Sequence, residues 1–127
     1  MQSIFTPNAP EAIGPYSQAI VHNGLVYTSG QIALNAQGAM QGATNEGDIE
    51  AQTKQVFMNL KAILEQAGSS LQKVIKTTVF LSDMEHFSAM NAVYAQYFGD
   101  HKPARSTIAV KTLPKNALVE IECIAAI

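Results

Sequence analysis

The side chains of this 127-residue chain with the clearest chemical potential are Arg105, in the run Pro103-Ala104-Arg105-Ser106-Thr107, and two acidic residues, Glu120 and Glu122. A guanidinium in a poorly hydrated site offers a planar fork that captures a carboxylate through two hydrogen bonds, and a nearby Glu can hold a water for attack. If the last two strands pair through a turn at Leu113 to Asn116, Arg105 comes near both carboxylates. The same three residues also fit a structural ion pair at a subunit contact, since buried charges are usually paired. Gly14-Pro15-Tyr16-Ser17 and Thr28-Ser29-Gly30-Gln31 read as loop or strand-end sites. Tyr16 can supply a hydroxyl with an aromatic face, and Gly30 would let a ligand approach the backbone; a plain turn and a bulge are the simpler local explanations. Asn91 lies on a helix between apolar neighbours, where its amide either caps a backbone group or touches a ligand.

Several other chemistries find no support. The single cysteine, Cys123, has no partner for a disulfide and no Cys or His neighbour at metal-ligand spacing, so no metal site is expected. It reads as a small buried hydrophobe. His22, His86 and His101 are dispersed and read as solvated or packing residues. No glycine-rich phosphate loop occurs, and no cofactor is expected. With a net charge of -2 the chain has no electrostatic footprint for a phosphate backbone, so nucleic acid is not an expected ligand. The first residues carry neither a basic nor an apolar leader region, and no apolar run approaches the roughly 18 residues of a membrane span. A cytoplasmic protein without membrane association is the default expectation.

The elements that must position these residues follow from periodicity. Ala19 to Val21 and Leu25 to Ser29 flank His22-Asn23-Gly24, and Asn-Gly favours the positive φ angles of a tight hairpin. A polar, glycine-containing segment from Asn35 to Gly47 has no period and is a candidate mobile loop. Glu46, Asp48 and Glu50 then crowd the start of a helix with apolar positions Val56, Leu60, Ile63, Leu64 and Ala67, stopped at Gly68. Val74 to Leu81 is a strand, ended by Ser82, Asp83 and Glu85 in a helix-capping pattern. The second helix presents Phe87, Met90, Tyr94 and Tyr97 and closes at Gly99. Ala104 to Val110 and Leu118 to Ala126 are the last strands.

This order predicts a single α+β domain over residues 1–127, a mixed sheet with two helices packed on one face. In the last strand Leu118, Glu120, Glu122 and Ile124 share one side and Val119, Ile121, Cys123 and Ala125 the other. Both faces therefore carry apolar groups. Only 14% of residues are charged against roughly 25% in an average soluble domain, so part of the surface is expected to be covered by another subunit.

The segments GPYSQA at Gly14 to Ala19, TSGQI at Thr28 to Ile32 and PARSTIAVKTLPKNALVEIECIA at Pro103 to Ala125 closely resemble the RidA/YjgF family. The similarity runs over nearly the whole chain, including TTVFLSDMEHFSAMN. The resemblance implies a chorismate-mutase-like fold assembled as a homotrimer, with a ligand cleft at each subunit interface. It also implies hydrolysis of reactive enamines and imines, such as 2-aminoacrylate, 2-iminopropanoate and 2-iminobutanoate, to 2-oxo acids and ammonia. On that resemblance Arg105 clamps the substrate carboxylate and Glu120 positions the attacking water. Tyr16, Ser29, Gly30 and Asn91 line the pocket, and the backbone of Thr107 meets the imine nitrogen. Many family members carry cysteine where this chain has Thr107, so thiol chemistry at that site is not available here. Two other readings stand beside the enzyme. One is a regulator that uses Arg105 to sense a 2-oxo acid or amino acid. The other follows family members described as ribonucleases or translation inhibitors, against which the acidic balance argues.

Overall fold

In a computed structural model that describes residues 1–42 and 48–127, the chain folds as one six-stranded mixed sheet with both long helices on one face. The strands are β1 (Gln2–Ile4), β2 (Ala19–His22), β3 (Leu25–Thr28), β4 (Val74–Leu81), β5 (Ala104–Ala109) and β6 (Val119–Ala126). The helices are α1 (Ile49–Gln66) and α2 (Phe87–Phe98). Spatial order is β1-β2-β3-β6-β4-β5; β4 and β5 are parallel and every other pair is antiparallel. The β2–β3 hairpin turns at Asn23 and Gly24, both at positive φ (51° and 78°), as its Asn-Gly pair requires. The short strand β1, which no sequence period announces, pairs with β2.

One expectation is overturned. β5 and β6 do not pair; β4 lies between them. The reason is the β4–α2–β5 unit: a strand, a helix and a second strand joined in this way form a parallel pair, because the helix returns the chain to the starting edge. β5 takes one edge of β4, and β6 must take the other. The link from β5 to β6 then passes across the end of β4, where Val110 donates its N–H to the Leu81 carbonyl and Ser82 donates to that of Leu118.

The core forms between sheet and helices. Val56, Phe57, Leu60, Ile63 and Leu64 of α1 and Met90, Val93, Tyr94 and Phe98 of α2 are buried against Val26, Val79, Leu81, Val119, Ile121 and Ala125. Val93 and Phe98 join the α2 stripe beyond the residues that periodicity selected. Phe57 organises the helix pair, stacked on Tyr97 at 4.9 Å and edge-on to Tyr94 and Phe98. Asp48 caps α1 by accepting from the Ala51 N–H. At the second helix the capping side chain is Asp83, which accepts from Glu85, rather than Ser82; a short 3₁₀ turn at Met84–His86 precedes α2. The expected mobile loop is part turn, since the Asn35 side chain accepts from the N–H groups of Gln37 and Ala39. Its remainder, residues 43–47, lies outside the described residues.

Among the described residues the opposite face of the sheet carries no helix. Tyr27, Phe80, Ile108, Glu120, Glu122 and Ile124 share it, and Tyr27 and Ile108 are 42% and 47% exposed. Among the described residues no helix is long and apolar enough to cross a membrane.

Candidate functional site

The sequence-selected residues fall into two groups on opposite faces of the sheet. Arg105 is in register with Thr77, which is fully buried beneath α2 and in register with Cys123. Glu120 is three residues from Cys123 on β6 and therefore on the other face. The expected meeting of Arg105 with Glu120 and Glu122 does not occur within one chain, because β4 intervenes and the side chains point apart.

The helix-side group is built around Arg105. Its Nη1 donates to Asn91 Oδ1 at 2.6 Å, and its guanidinium carbon lies 4.7 Å from the centre of the Tyr94 ring and 5.4 Å from that of Phe87. Phe87, Asn91 and Tyr94 occur at i, i+4 and i+7 on α2, so one helix face meets the guanidinium. The Tyr94 hydroxyl is 2.8 Å from Thr77 Oγ1, and burial pushes its pKa up, opposed by that hydrogen bond and by the charge of Arg105. With one N–H committed to Asn91, the fork retains others for a ligand. Asn91, Tyr94 and Arg105 border a pocket of about 400 Å³ that continues to His101 and Lys102. Sequence reasoning treated Phe87 and Tyr94 as core stripe only; their spacing from Asn91 was the available signal.

Thr107 follows on the same face of β5. Because Val110 donates to β4, alternation directs the N–H groups of Ser106 and Ile108 to β4 as well, and those of Arg105, Thr107 and Ala109 to the free edge of the sheet. The Thr107 N–H is thus available to a group arriving at that edge. Its Oγ1 is buried and has no hydrogen-bond partner among the described residues.

The second group surrounds Glu120. Tyr16, Ser29, Gly30 and Glu120 line one cavity of about 550 Å³, with the irregular segment Pro10 to Ile13 as one wall and Pro114 and Lys115 at another. Gly30 makes room for the Glu120 carboxylate where it stands: a Cβ there would lie 2.9 Å from Glu120 Cδ and closer still to Oε2, so the carboxylate would have to move. Backbone hydrogen bonds between Gln31 and Ile121, at 2.9 and 3.1 Å, fix this approach. Ser29 Oγ donates to the Ser17 carbonyl at 2.6 Å, and the Gln18 carbonyl accepts from the Ser29 N–H. The buried Gln18 amide ties down the wall, accepting from the Thr6 N–H and donating to the Thr6 and Pro10 carbonyls. Sequence reasoning missed Gln18, although its place inside GPYSQA marked it.

Burial raises the Glu120 pKa, and the neighbouring Glu122 carboxylate raises it further. A carboxyl group held above its ordinary range is a better proton acceptor once ionised. Cys123, on the helix side, is buried with its thiol pushed up to about 11 mainly by burial, and it accepts a long contact from Thr28 Oγ1. It is an inert core residue.

Comparison with known proteins places this architecture. Residues 6–127 match the family model described as Endoribonuclease L-PSP. A RutC family protein of Pyrococcus horikoshii is 54% identical over 122 residues, covering 96% of this chain and 94% of that one. RidA from an Antarctic Psychrobacter superimposes with a TM-score of 0.93 at 40% identity and full coverage of both chains. Escherichia coli TdcF, solved with bound serine, gives a TM-score of 0.92 at 40% identity, covering 100% of this chain and 99% of that one. The chain belongs to the RidA/YjgF family.

Proposed function

We propose that this protein is a homotrimeric deaminase that hydrolyses 2-imino acids and their enamine tautomers, such as 2-aminoacrylate, to 2-oxo acids and ammonia. The carrying observation is the division of the site: Arg105, held by Asn91, on one face of the sheet and Glu120, packed against Gly30, on the other. A single chain cannot bring them onto one substrate. A second copy seated on the helix-free face and the β5 edge can, and it would cover the exposed Tyr27 and Ile108. The bound serine of TdcF favours an amino-acid-like ligand.

In this reading Arg105 of one copy holds the α-carboxylate and the Thr107 N–H approaches the imine nitrogen. Glu120 of the next copy, ionised, accepts a proton from water as the oxygen bonds to C2 of the imine, already protonated on nitrogen by solvent, and the π electrons of C=N move to that nitrogen to give the neutral amine. The carbinolamine then collapses: its hydroxyl proton is lost, C2=O forms, and the C–N bond breaks with ammonia leaving after Glu120 returns its proton to nitrogen. Orientation and a fixed base supply the acceleration, with no side-chain nucleophile. An RNA-cleaving role, which the family model's description suggests, has little to recommend it electrostatically: ten acidic residues outnumber eight basic ones.

The test is 2-oxo acid release by a pyridoxal-phosphate dehydratase acting on serine or threonine, with semicarbazide trapping the imine, with and without this protein. Acceleration that falls about 10³-fold in Arg105→Ala is expected, since losing a buried charge-assisted carboxylate contact costs several kcal/mol. Sedimentation should show the variant still trimeric; a dissociated variant would make Arg105 a structural ion-pair residue. No acceleration by a correctly assembled wild-type protein would shift the reading to a metabolite-binding regulator.

A further inference from the structure

The turn at Pro114–Asn116 holds two consecutive non-glycine residues in the left-handed region, Lys115 at φ 56° and Asn116 at φ 55°. Asparagine tolerates this conformation; lysine does not gain from it. The turn itself is firmly placed. Asn116 donates to the Leu113 carbonyl and Ala117 to that of Pro114, both at 3.1 Å, and the next residue, Leu118, donates to the buried Gln52 amide oxygen at 2.9 Å. Glycine would make the same turn without strain, so a long cationic side chain at this position calls for a use. Lys115 lines the Glu120 cavity and is the one basic residue to do so among the described residues. In the single chain that cavity, at about 550 Å³, is larger than an acid whose side chain is a methyl group.

We propose that Lys115 is a specificity residue that directs the site toward 2-imino acids bearing a second carboxylate on the side chain. This rests on the deaminase reading above, in which Arg105 of a neighbouring copy takes the α-carboxylate and leaves the distal end of the substrate in the Glu120 cavity. The Lys115 ammonium is then the counter-ion within that cavity for a distal anion. Glu11 and the ionised Glu120 line the same cavity and oppose it, so Lys115 is the one charge there that favours a distal anion. Lys115 and Glu11 shift the preference with opposite signs.

The experiment compares imines made in place by oxidases acting on glutamate and on alanine, with oxo-acid formation followed against semicarbazide trapping. The quantity read is the ratio of kcat/KM for the dicarboxylic imine to that for the monocarboxylic one. Lys115→Met should lower this ratio at least about tenfold, the loss of one charge-assisted contact. Lys115→Arg should restore most of it, and Glu11→Gln should raise it. Calorimetry with 2-oxoglutarate and 2-oxobutanoate provides a readout independent of turnover, with Lys115→Met weakening the former selectively. If wild-type protein accelerates the imines but neither the ratio nor the binding difference moves in Lys115→Met, the specificity proposal is wrong and the deaminase stands. If no imine is accelerated while 2-oxoglutarate binding still depends on Lys115, the deaminase reading fails and the carboxylate site survives.

Discussion

The two halves of the candidate site are built by different means. Arg105 sits on a strand and is gripped by Phe87, Asn91 and Tyr94 from one helix, with Tyr94 itself fixed by Thr77. Glu120 also sits on a strand, yet its cavity is walled by irregular chain from Pro10 to Tyr16, tied at its ends by Gln18 and Ser29. Between those ties Ile13 and Tyr16 are 77% and 54% exposed. The Arg105 half is therefore preorganised by packing, while the Glu120 half is defined by backbone approach and by a strap of loop. In the proposed deaminase, carboxylate recognition would be common to every substrate and would suit the rigid half, and side-chain accommodation would suit the adaptable one.

The contrast predicts unequal sensitivity. Gly30→Ala is expected to cost about 10²-fold in kcat/KM, because the added methyl displaces the Glu120 carboxylate by a fraction of its own size and proximity effects are steep. Steady-state kinetics should show the loss in kcat, while binding of a 2-oxo acid, governed by the Arg105 half, weakens far less. An equal loss in both would mean that the halves are one rigid unit. Asn91→Ala should cost less, about tenfold, since it removes one charge-assisted hydrogen bond from a guanidinium still held by two aromatic faces. Its effect should appear mainly in KM. A purely kcat effect would place Asn91 at the reacting centre instead.

This difference in construction also explains what was legible in the sequence. The hairpin at Asn23-Gly24, the α1 stripe and the glycine stops at Gly68 and Gly99 are local signals, and local geometry obeys them. The partner of β5 is a non-local choice. Chain adjacency favours β6, but the β4–α2–β5 crossover decides for β4, and with that choice Arg105 and Glu120 go to opposite faces. Motif resemblance singled out Arg105 and Glu120 without their distribution over one chain. Tyr16, Ser29, Gly30 and Glu120 line one cavity, while Asn91 lies with Arg105 at another. Lys115 escaped notice because a strained φ has no signature in a residue string, and Gln18 because a buried amide looks like any polar residue beside a strand.

The smallest expected effect is also the most direct probe of the Glu120 half. Burial raises the pKa of Glu120 first and the Glu122 carboxylate raises it second. If Glu120 must be ionised to take a proton from water, kcat/KM falls as pH drops through that raised value. Glu122→Gln keeps the shape and the burial but removes the neighbouring charge, so the Glu120 pKa should fall part of the way back and the acid limb of the pH profile should move to lower pH. The shift is partial, because the larger cause remains. Rates on the plateau should change little, since Glu122, although on the same face as Glu120, does not line the cavity with Gly30 and Tyr16 and is more exposed than Glu120. A limb that stays in place would assign the pH dependence to another group, and the role of Glu120 as the base would fall with it.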